Sequence, residues 1–325
     1  MNPFNILRKF IQHRRFGGAI YVNKKIAKEF YNLHKSDEFG NLFKEIYWYL
    51  VKVYWLTGEI TKRIGIDKRH WKKLNELFQN ISNTPVLNIN DINVHIDCLF
   101  TLNLVCAEYQ DIFPSGMYYD KNGKWMSEPD FTETVFLGEG PYETKSVQIY
   151  EDDIVVDCGA NMGLFSLLAV KRGAKTVYGF DPQERALSLL NTNISTNKCE
   201  GKIIPVPFGL SDRKCTLSFT ENEENIGASR ISREGDVSTT SIECTTLDDW
   251  VAENNIPRVD FIKADIEGAE RDMLNGARNT IKRNHPRLAI CTYHLPDDPE
   301  VLQEIILSID PTYHVEQREK KLYAW

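Results

Sequence analysis

The sequence has no C-x-x-C pair, and its seven cysteines, Cys98, Cys106, Cys158, Cys199, Cys215, Cys244 and Cys291, are scattered and odd in number. This weighs against a zinc site and a disulfide frame, so they read as reduced thiols of a cytosolic protein. A basic excess is missing too: 39 Lys and Arg stand against 46 Asp and Glu, for a net charge of −7, unlike a dedicated nucleic-acid binder. Apolar runs are short. The stretch IYWYLVKVYWL at 46–56 contains Lys52 and is too short to span a bilayer. The basic start MNPFNILRKFIQHRR leads into no apolar segment or small-residue cleavage site, so no secretory signal is expected. The Asn-Ile-Ser triplets at Asn80 and Asn193 therefore carry no expectation of a glycan. There is no internal repeat or low-complexity segment.

What is present suits a globular chain. Hydrophobic residues make up 42% and charged residues 26% of 325 positions, enough for one large domain or two ordinary ones. Leu42, Phe43, Ile46, Leu50, Val53, Leu56 and Ile60 recur at helical spacing, and Tyr47, Trp48, Tyr54 and Trp55 widen that face. It fits a packed helix over 38–63, or one lying at a membrane surface or a partner; a second helix is expected over 68–80. Residues 86–100 fit a strand, a hairpin, or a helix from near Asp97. Turn formers then crowd 112–142, including Pro114, Gly116, Asn122, Gly123 and Pro129. They place a boundary near 125–135, dividing a mainly helical domain (1–130) from a second domain (131–325).

After residue 150, apolar strands alternate with helices. Strands are expected at 153–158, 176–180, 202–208, 259–265 and 287–293, with a terminal pair at 313–317 and 321–325. Helices are expected at 163–173, 183–197, 246–254, 267–284 and 299–309. Two more strands, 215–220 and 241–247, flank a polar loop. The alternation means an α/β domain with a parallel sheet covered on both faces, which binds ligands at the carboxyl ends of its strands.

Four clusters sit at those ends. The first, Asp157-Cys158-Gly159-Ala160-Asn161-Met162-Gly163, joins a strand to a helix. Gly159 and Gly163 would clear space for a ligand, and the Asp157 carboxylate suits a cationic amine. The turn is neither G-x-G-x-x-G nor a phosphate loop with Lys-Ser/Thr, which weighs against a nicotinamide oxidoreductase. Cys158 tempts a nucleophile reading, but a small buried residue explains it better. In the second cluster, Gly179-Phe180-Asp181-Pro182, Asp181 is placed to accept both hydroxyls of a ribose, or to cap the next helix. The third gathers Asp265, Glu267 and Glu270, with Asp265 facing the cofactor's reactive end and the two glutamates explicable as solvated acids of a helix start. The fourth is Cys291-Thr-Tyr-His294, where His294 is either structural or catalytic.

These residues resemble the FkbM family of S-adenosylmethionine-dependent methyltransferases. The resemblance rests on GPYE (140–143), DIVVDCGANMGLFS (153–166), VYGFDP (177–182), FGLSD (208–212), TLDDW (246–250), FIKADIEGAERDML (261–274) and CTYHLPDD (291–298), in that order. It covers most of the last 185 residues and none of the first 130. It implies a class I, Rossmann-like methyltransferase fold: a seven-stranded sheet with an antiparallel last strand. It also implies S-adenosyl-L-methionine as cofactor, with Asp157, Gly159, Asn161 and Gly163 along its methionine and ribose, Asp181 on the ribose, Asp212 near the adenine and Tyr142 closing over it.

O-methylation of a hydroxyl on a sugar, glycan or small natural product is the implied activity. The candidate bases are His294 and Asp265; a variant gives Asp265 and Glu267 to a divalent cation that acidifies the hydroxyl. The competing reading is an inactive, methyltransferase-like structural protein. The first 130 residues would cap the acceptor pocket, form a dimer or dock a glycosyltransferase, with Trp48, Trp55, Trp71 and Trp125 as core or sugar-stacking residues. A polysaccharide context in the cytoplasm is the natural expectation, with no nucleic-acid partner and no transmembrane segment.

Overall fold

The computed structural model describes residues 86–89, 91–97, 101, 104–105 and 141–325, apart from 222–226, 228, 233–234, 237–239 and 319. The chain divides into two compact units, 1–109 and 110–325. The helices expected over 38–63 and 68–80, the boundary expected near 125–135, and Trp48, Trp55, Trp71 and Trp125 lie outside the described residues.

In the first unit, the alternating stretch forms a hairpin. Strands β1 (Val86–Ile89) and β2 (Ile92–His95) pair antiparallel. Asp91 turns the chain in the left-handed region at φ 63, a conformation that Asp tolerates better than most residues. Leu87, Ile92 and Val94 are buried.

The second unit alternates strands and helices: β3 (Ile154–Cys158), α1 (Leu164–Lys171), β4 (Thr176–Phe180), α2 (Glu184–Thr196) and β5 (Ile203–Val206). Next come four strands of a separate sheet: β6 (Gly209–Leu210), β7 (Cys215–Thr220), β8 (Arg230–Ile231) and β9 (Thr240–Thr245). The chain continues through α3 (Leu247–Glu253), β10 (Phe261–Ala264), α4 (Glu270–Asn275), α5 (Arg278–Asn284), β11 (Arg287–Cys291), α6 (Asp298–Ile309), β12 (Val315–Arg318) and β13 (Lys321–Ala324). The main sheet has seven strands in the order β12-β13-β11-β10-β3-β4-β5. From β11 to β5 the neighbours are parallel, whereas β13 runs antiparallel to β11 and β12.

All five residues of β3, Ile-Val-Val-Asp-Cys, are buried, as a central strand covered on both faces requires. One face carries Ile154, Val156 and Cys158 into a cluster with Trp250 and Val251 of α3, Met273 and Leu274 of α4, Ile281 of α5, and Leu302 and Ile306 of α6. On α1, Phe165 packs against the Phe261 ring at 5.9 Å. Asn193, inside a glycosylation triplet, is fully buried and donates to the Met162 carbonyl at 2.8 Å.

Two local outcomes bear on the site. Thr246 caps α3, its hydroxyl accepting the Asp249 N–H at 2.9 Å, a role for which threonine is among the preferred residues. The single helix expected over 267–284 is instead two, parted at Gly276 and Ala277. A Cβ on Gly276 would stand 2.0 Å from the Ser211 carbonyl oxygen, and the Gly276 carbonyl accepts the Asp248 N–H. The break admits the loop after β6 and the start of α3. Among the described residues no helix is long and apolar enough to cross a membrane.

Candidate active site

The loops after β3, β4 and β10 part at the carboxyl ends of three adjacent strands, where parallel sheets bind ligands. Backbone bonds hold the loops together. Gly159 and Ala160 both donate to the Phe180 carbonyl at 2.9 Å, and Asp265 donates to the Cys158 carbonyl at 3.1 Å. An open cleft of about 630 Å³, solvent at its mouth included, lies there. Gly159 and Asn161 line it after β3, Asp181 and Gln183 after β4, and Asp265 and Glu267 after β10. The second sheet supplies the opposite wall through Phe219, Arg230, Ile231 and Ile242. The strands that the sequence places around a polar loop therefore shape the site.

Asp181 stands on the cleft wall with both carboxylate oxygens oriented by backbone, accepting from Asn161 N and Gln183 N at 2.9 Å each. Burial pushes its carboxyl up to about 6; the Gln183 and Asn161 N–H groups and the Lys263 charge pull the other way. Beside it, Asn161 sits at φ 49, and its side-chain Oδ1 is buried with no hydrogen-bond partner. Such an orphaned acceptor is uncommon in folded proteins, and a ligand's hydroxyl or ammonium group would satisfy it. The wall thus fits a nucleoside-bearing cofactor.

The two glycines serve the protein's own packing. Gly159 has φ 78, and a Cβ there would lie 2.0 Å from the Asp265 carbonyl oxygen. Gly163 has φ 86, and its Cβ would lie 2.4 Å from Leu190 Cδ1. Sequence reasoning assigned that space to the ligand. Gly159 does line the cleft, but Gly163 is not among its described lining residues.

Asp157, Tyr142 and Asp212, expected at the cofactor, are also absent from the described lining. Asp157 is fully buried; it accepts from Ser166 Oγ at 2.6 Å and lies 3.1 Å from Lys263 Nζ. Its charge is matched inside the protein and does not face a ligand's amine. Lys263 also donates to the Gly159 carbonyl at 2.8 Å, linking β10 to the glycine turn. Tyr142, 2% exposed, donates to Asp265 Oδ2 at 2.6 Å, so it stands behind a cleft residue. Asp212 is solvent-facing and pairs with Arg213. Its neighbour Ser211 is buried against Gly276.

Asp265 is the hub of the far end. Tyr142 and Tyr293 donate to its two oxygens, at 2.6 and 3.1 Å. Burial alone would raise its carboxyl, but the Lys263, His294 and Lys321 charges and the Tyr142 hydroxyl hold it below the usual carboxylate range. His294 lies behind the wall with a side chain only 4% exposed: Nδ1 is 2.9 Å from Glu270 Oε1, and Nε2 is 3.6 Å from Asp265 and 3.5 Å from Glu267. Burial would push the imidazole down; the Glu270 contact and the surrounding carboxylate charges outweigh it and carry it up to about 9. Glu270, read from sequence as a solvated acid, is fully buried, because its Oε1 turns inward to accept the Ile266 N–H at 2.9 Å. Cys158 is no nucleophile: burial and the Asp157 charge push its thiol far up.

Lys263, Tyr293 and Lys321 went unrecognised in the sequence. A signal existed for Lys263: a lysine inside the apolar strand FIKA, which a buried strand tolerates only with a partner. The partner, Asp157, sits directly opposite in the β10–β3 register.

Residues 157–317 match the family model described as Methyltransferase FkbM domain. Hexuronic acid methyltransferase AglP of Haloferax volcanii is 26% identical over 157 residues, 48% of this chain and 62% of AglP's length. The 31-O-demethyl-FK506 methyltransferase FkbM of Streptomyces tacrolimicus is 22% identical over 207 residues, 54% of this chain and 75% of that protein. A solved structure of methyltransferase FkbM from Methylobacillus flagellatus KT, 26% identical, covers 57% of this chain and 48% of its own, with a TM-score of 0.45.

Proposed function

Because residues 157–317 belong to the FkbM family of methyltransferases, we propose that the chain uses S-adenosyl-L-methionine to methylate a hydroxyl oxygen of a sugar, a glycan or a small natural product. The observation that carries this function is the Asp181 carboxylate on the cleft wall beside the unpartnered Asn161 amide oxygen. Together they present acceptors for the hydroxyls and ammonium of such a cofactor. Sugar as the acceptor class is supported by a relative named for a hexuronic acid, and a small natural product by one named for 31-O-demethyl-FK506.

When bound, S-adenosylmethionine supplies an electrophilic methyl group. The protein's task is then mainly positioning. The Asp181 and Asn161 oxygens hold the nucleoside half, and the second sheet covers the opposite wall. The acceptor hydroxyl enters at the end bounded by Asp265 and Glu267. Its proton must leave as the carbon–oxygen bond forms, and these wall carboxylates are placed to take it. His294 lies behind the wall with Nε2 3.6 Å from Asp265, so it bears on that carboxylate rather than on the acceptor.

Calorimetric titration with S-adenosylhomocysteine tests this function, on wild type and Asp181→Ala. Micromolar binding that the substitution weakens strongly supports it, and a screen of uronic acids and other sugars with labelled cofactor follows. A folded wild type that binds nothing would make the domain an inactive scaffold.

A further inference from the structure

At the acceptor end of the cleft, three ligand-type atoms from Asp265, Glu270 and His294 lie within 4.8 Å of one another. Two ligands of a first-row ion, each at ~2.1 Å, span up to ~4.2 Å, so a slight contraction would bring all three onto one centre. Two of the three carry buried polar atoms that make no aligned hydrogen bond, although Glu270 Oε1 accepts the Ile266 N–H. Glu270 is fully buried and its Oε2 bonds to nothing; neither ring nitrogen of His294 has an aligned partner, although its side chain is 4% exposed. Buried polar atoms left in this state are costly, and here they belong to two of the three clustered side chains. Asp265 is oriented for the same point by the Tyr142 and Tyr293 hydroxyls, an outer layer of the kind that fixes metal ligands.

We propose that Asp265, Glu270 and His294 bind one divalent first-row transition ion, such as Mn²⁺ or Zn²⁺, whose open side faces the acceptor. The mixed imidazole and carboxylate set selects this class over Ca²⁺ or Mg²⁺, which prefer all-oxygen shells. Glu270 and His294 close the centre from behind, while Asp265 belongs to the cleft wall. A centre closed on one side and open on the other is the arrangement of a catalytic ion rather than a structural one. This set differs from the pair Asp265 and Glu267 that the sequence points to. Glu267, on the wall with Oε2 3.5 Å from His294 Nε2, is left to receive a proton.

The role at that place rests on the proposed methyl transfer. The acceptor hydroxyl binds the ion through oxygen and is acidified. Its O–H bond breaks and the proton passes to Glu267. The oxygen takes the methyl group as the methyl–sulfur bond breaks, leaving S-adenosylhomocysteine.

The test uses the full chain stripped with chelator, then dialysed separately against Mn²⁺, Zn²⁺ and Mg²⁺. Bound metal is measured by elemental analysis, and S-adenosylhomocysteine binding is measured on the same samples. Wild type is expected to retain a single equivalent of Mn²⁺ or Zn²⁺ but not Mg²⁺. Glu270→Gln and His294→Ala should lose about 100-fold or more of that affinity. With Co²⁺ in their place, wild type should give a visible absorption band that His294→Ala abolishes. A folded wild type that binds S-adenosylhomocysteine and no transition ion overturns the inference, as does metal retained equally by both variants. Metal held by wild type and lost in the variants, with no S-adenosylhomocysteine binding, supports the centre and sinks the methyltransferase function instead. Variants that misfold are replaced by His294→Gln and Glu270→Asp, with the same outcomes.

Discussion

Lys263 and Asp157 face each other across adjacent strands, 106 residues apart in the chain (263 − 157), with Nζ and Oδ1 3.1 Å apart and side chains 6% and 0% exposed. The pair ties β10 to β3 directly beneath the glycine turn. Removing one member of a buried pair strands the other's charge and costs roughly 3–5 kcal/mol. Lys263→Met should therefore lower stability by about that amount in urea unfolding. It should also weaken S-adenosylhomocysteine, because the Gly159 carbonyl loses its donor. A loss under about 1 kcal/mol would mean the pair is not coupled to the fold.

Gly159→Ala should be far more damaging than Gly201→Ala. Both glycines have φ 78, so the backbone strain is alike, but a Cβ at 159 meets the Asp265 carbonyl at 2.0 Å and one at 201 meets nothing within 4 Å. The added methyl must displace the loop after β10. The expected result is at least a tenfold weaker S-adenosylhomocysteine affinity, about 1.4 kcal/mol, for Gly159→Ala, with none for Gly201→Ala. Equal effects would show that the turn's conformation, not its contact with Asp265, matters.

The Asp181 carboxyl gives opposite pH trends for stability and binding. Its pKa is raised from 3.8 to about 6 on folding. Its contribution to stability is thus fully present below 3.8 and is lost as pH rises through about 6. Ribose hydroxyls, in contrast, donate best to the ionised carboxylate. S-adenosylhomocysteine affinity should therefore fall as pH drops below about 6, approaching tenfold per unit. Titrations between pH 4.5 and 7.5 check this, and Asp181→Asn should flatten the profile. A wild-type profile that is already flat would remove Asp181 from the ribose.

Tyr142→Phe separates a residue behind the wall from one on it. Losing the hydroxyl leaves Asp265 Oδ2 without its 2.6 Å donor, a cost of about 1 kcal/mol. Methyl transfer should slow while S-adenosylhomocysteine affinity stays within about twofold, a change of ~0.4 kcal/mol. A large loss of affinity would put Tyr142 against the cofactor after all.

Much of the second unit was legible because its signals are local. The buried runs IVVDC and RLAIC, the Thr246 cap and the alternating order of strands and helices follow from side-chain period and capping within a few residues. The helix expected across 267–284 was misread because the cause of its break, the Ser211 carbonyl pressing on Gly276, comes from 65 residues away. Asp181, Asn161 and Asp265 were recognised as site residues and do line the cleft. Asp157, Tyr142 and Asp212 were assigned to the ligand because charge and aromatic character are visible in a sequence, whereas the groups that engage them are not.

The sequence by itself determined which segments become strands, which loops fall at their carboxyl ends, and so which carboxylates could meet a cofactor. These follow from periodicity and turn chemistry, which act over a few residues. Only the tertiary structure decided what each carboxylate faces. The β10–β3 register gives Asp157 to Lys263. The inward turn of Glu270 onto the Ile266 N–H brings it against His294. The second sheet, of whose four strands only β7 and β9 were read as loop flanks, becomes a wall of the cleft. The physical reason is that burial and pairing depend on contacts made across a hundred residues of chain, and those decide whether a charge is matched inside the protein or left for a ligand.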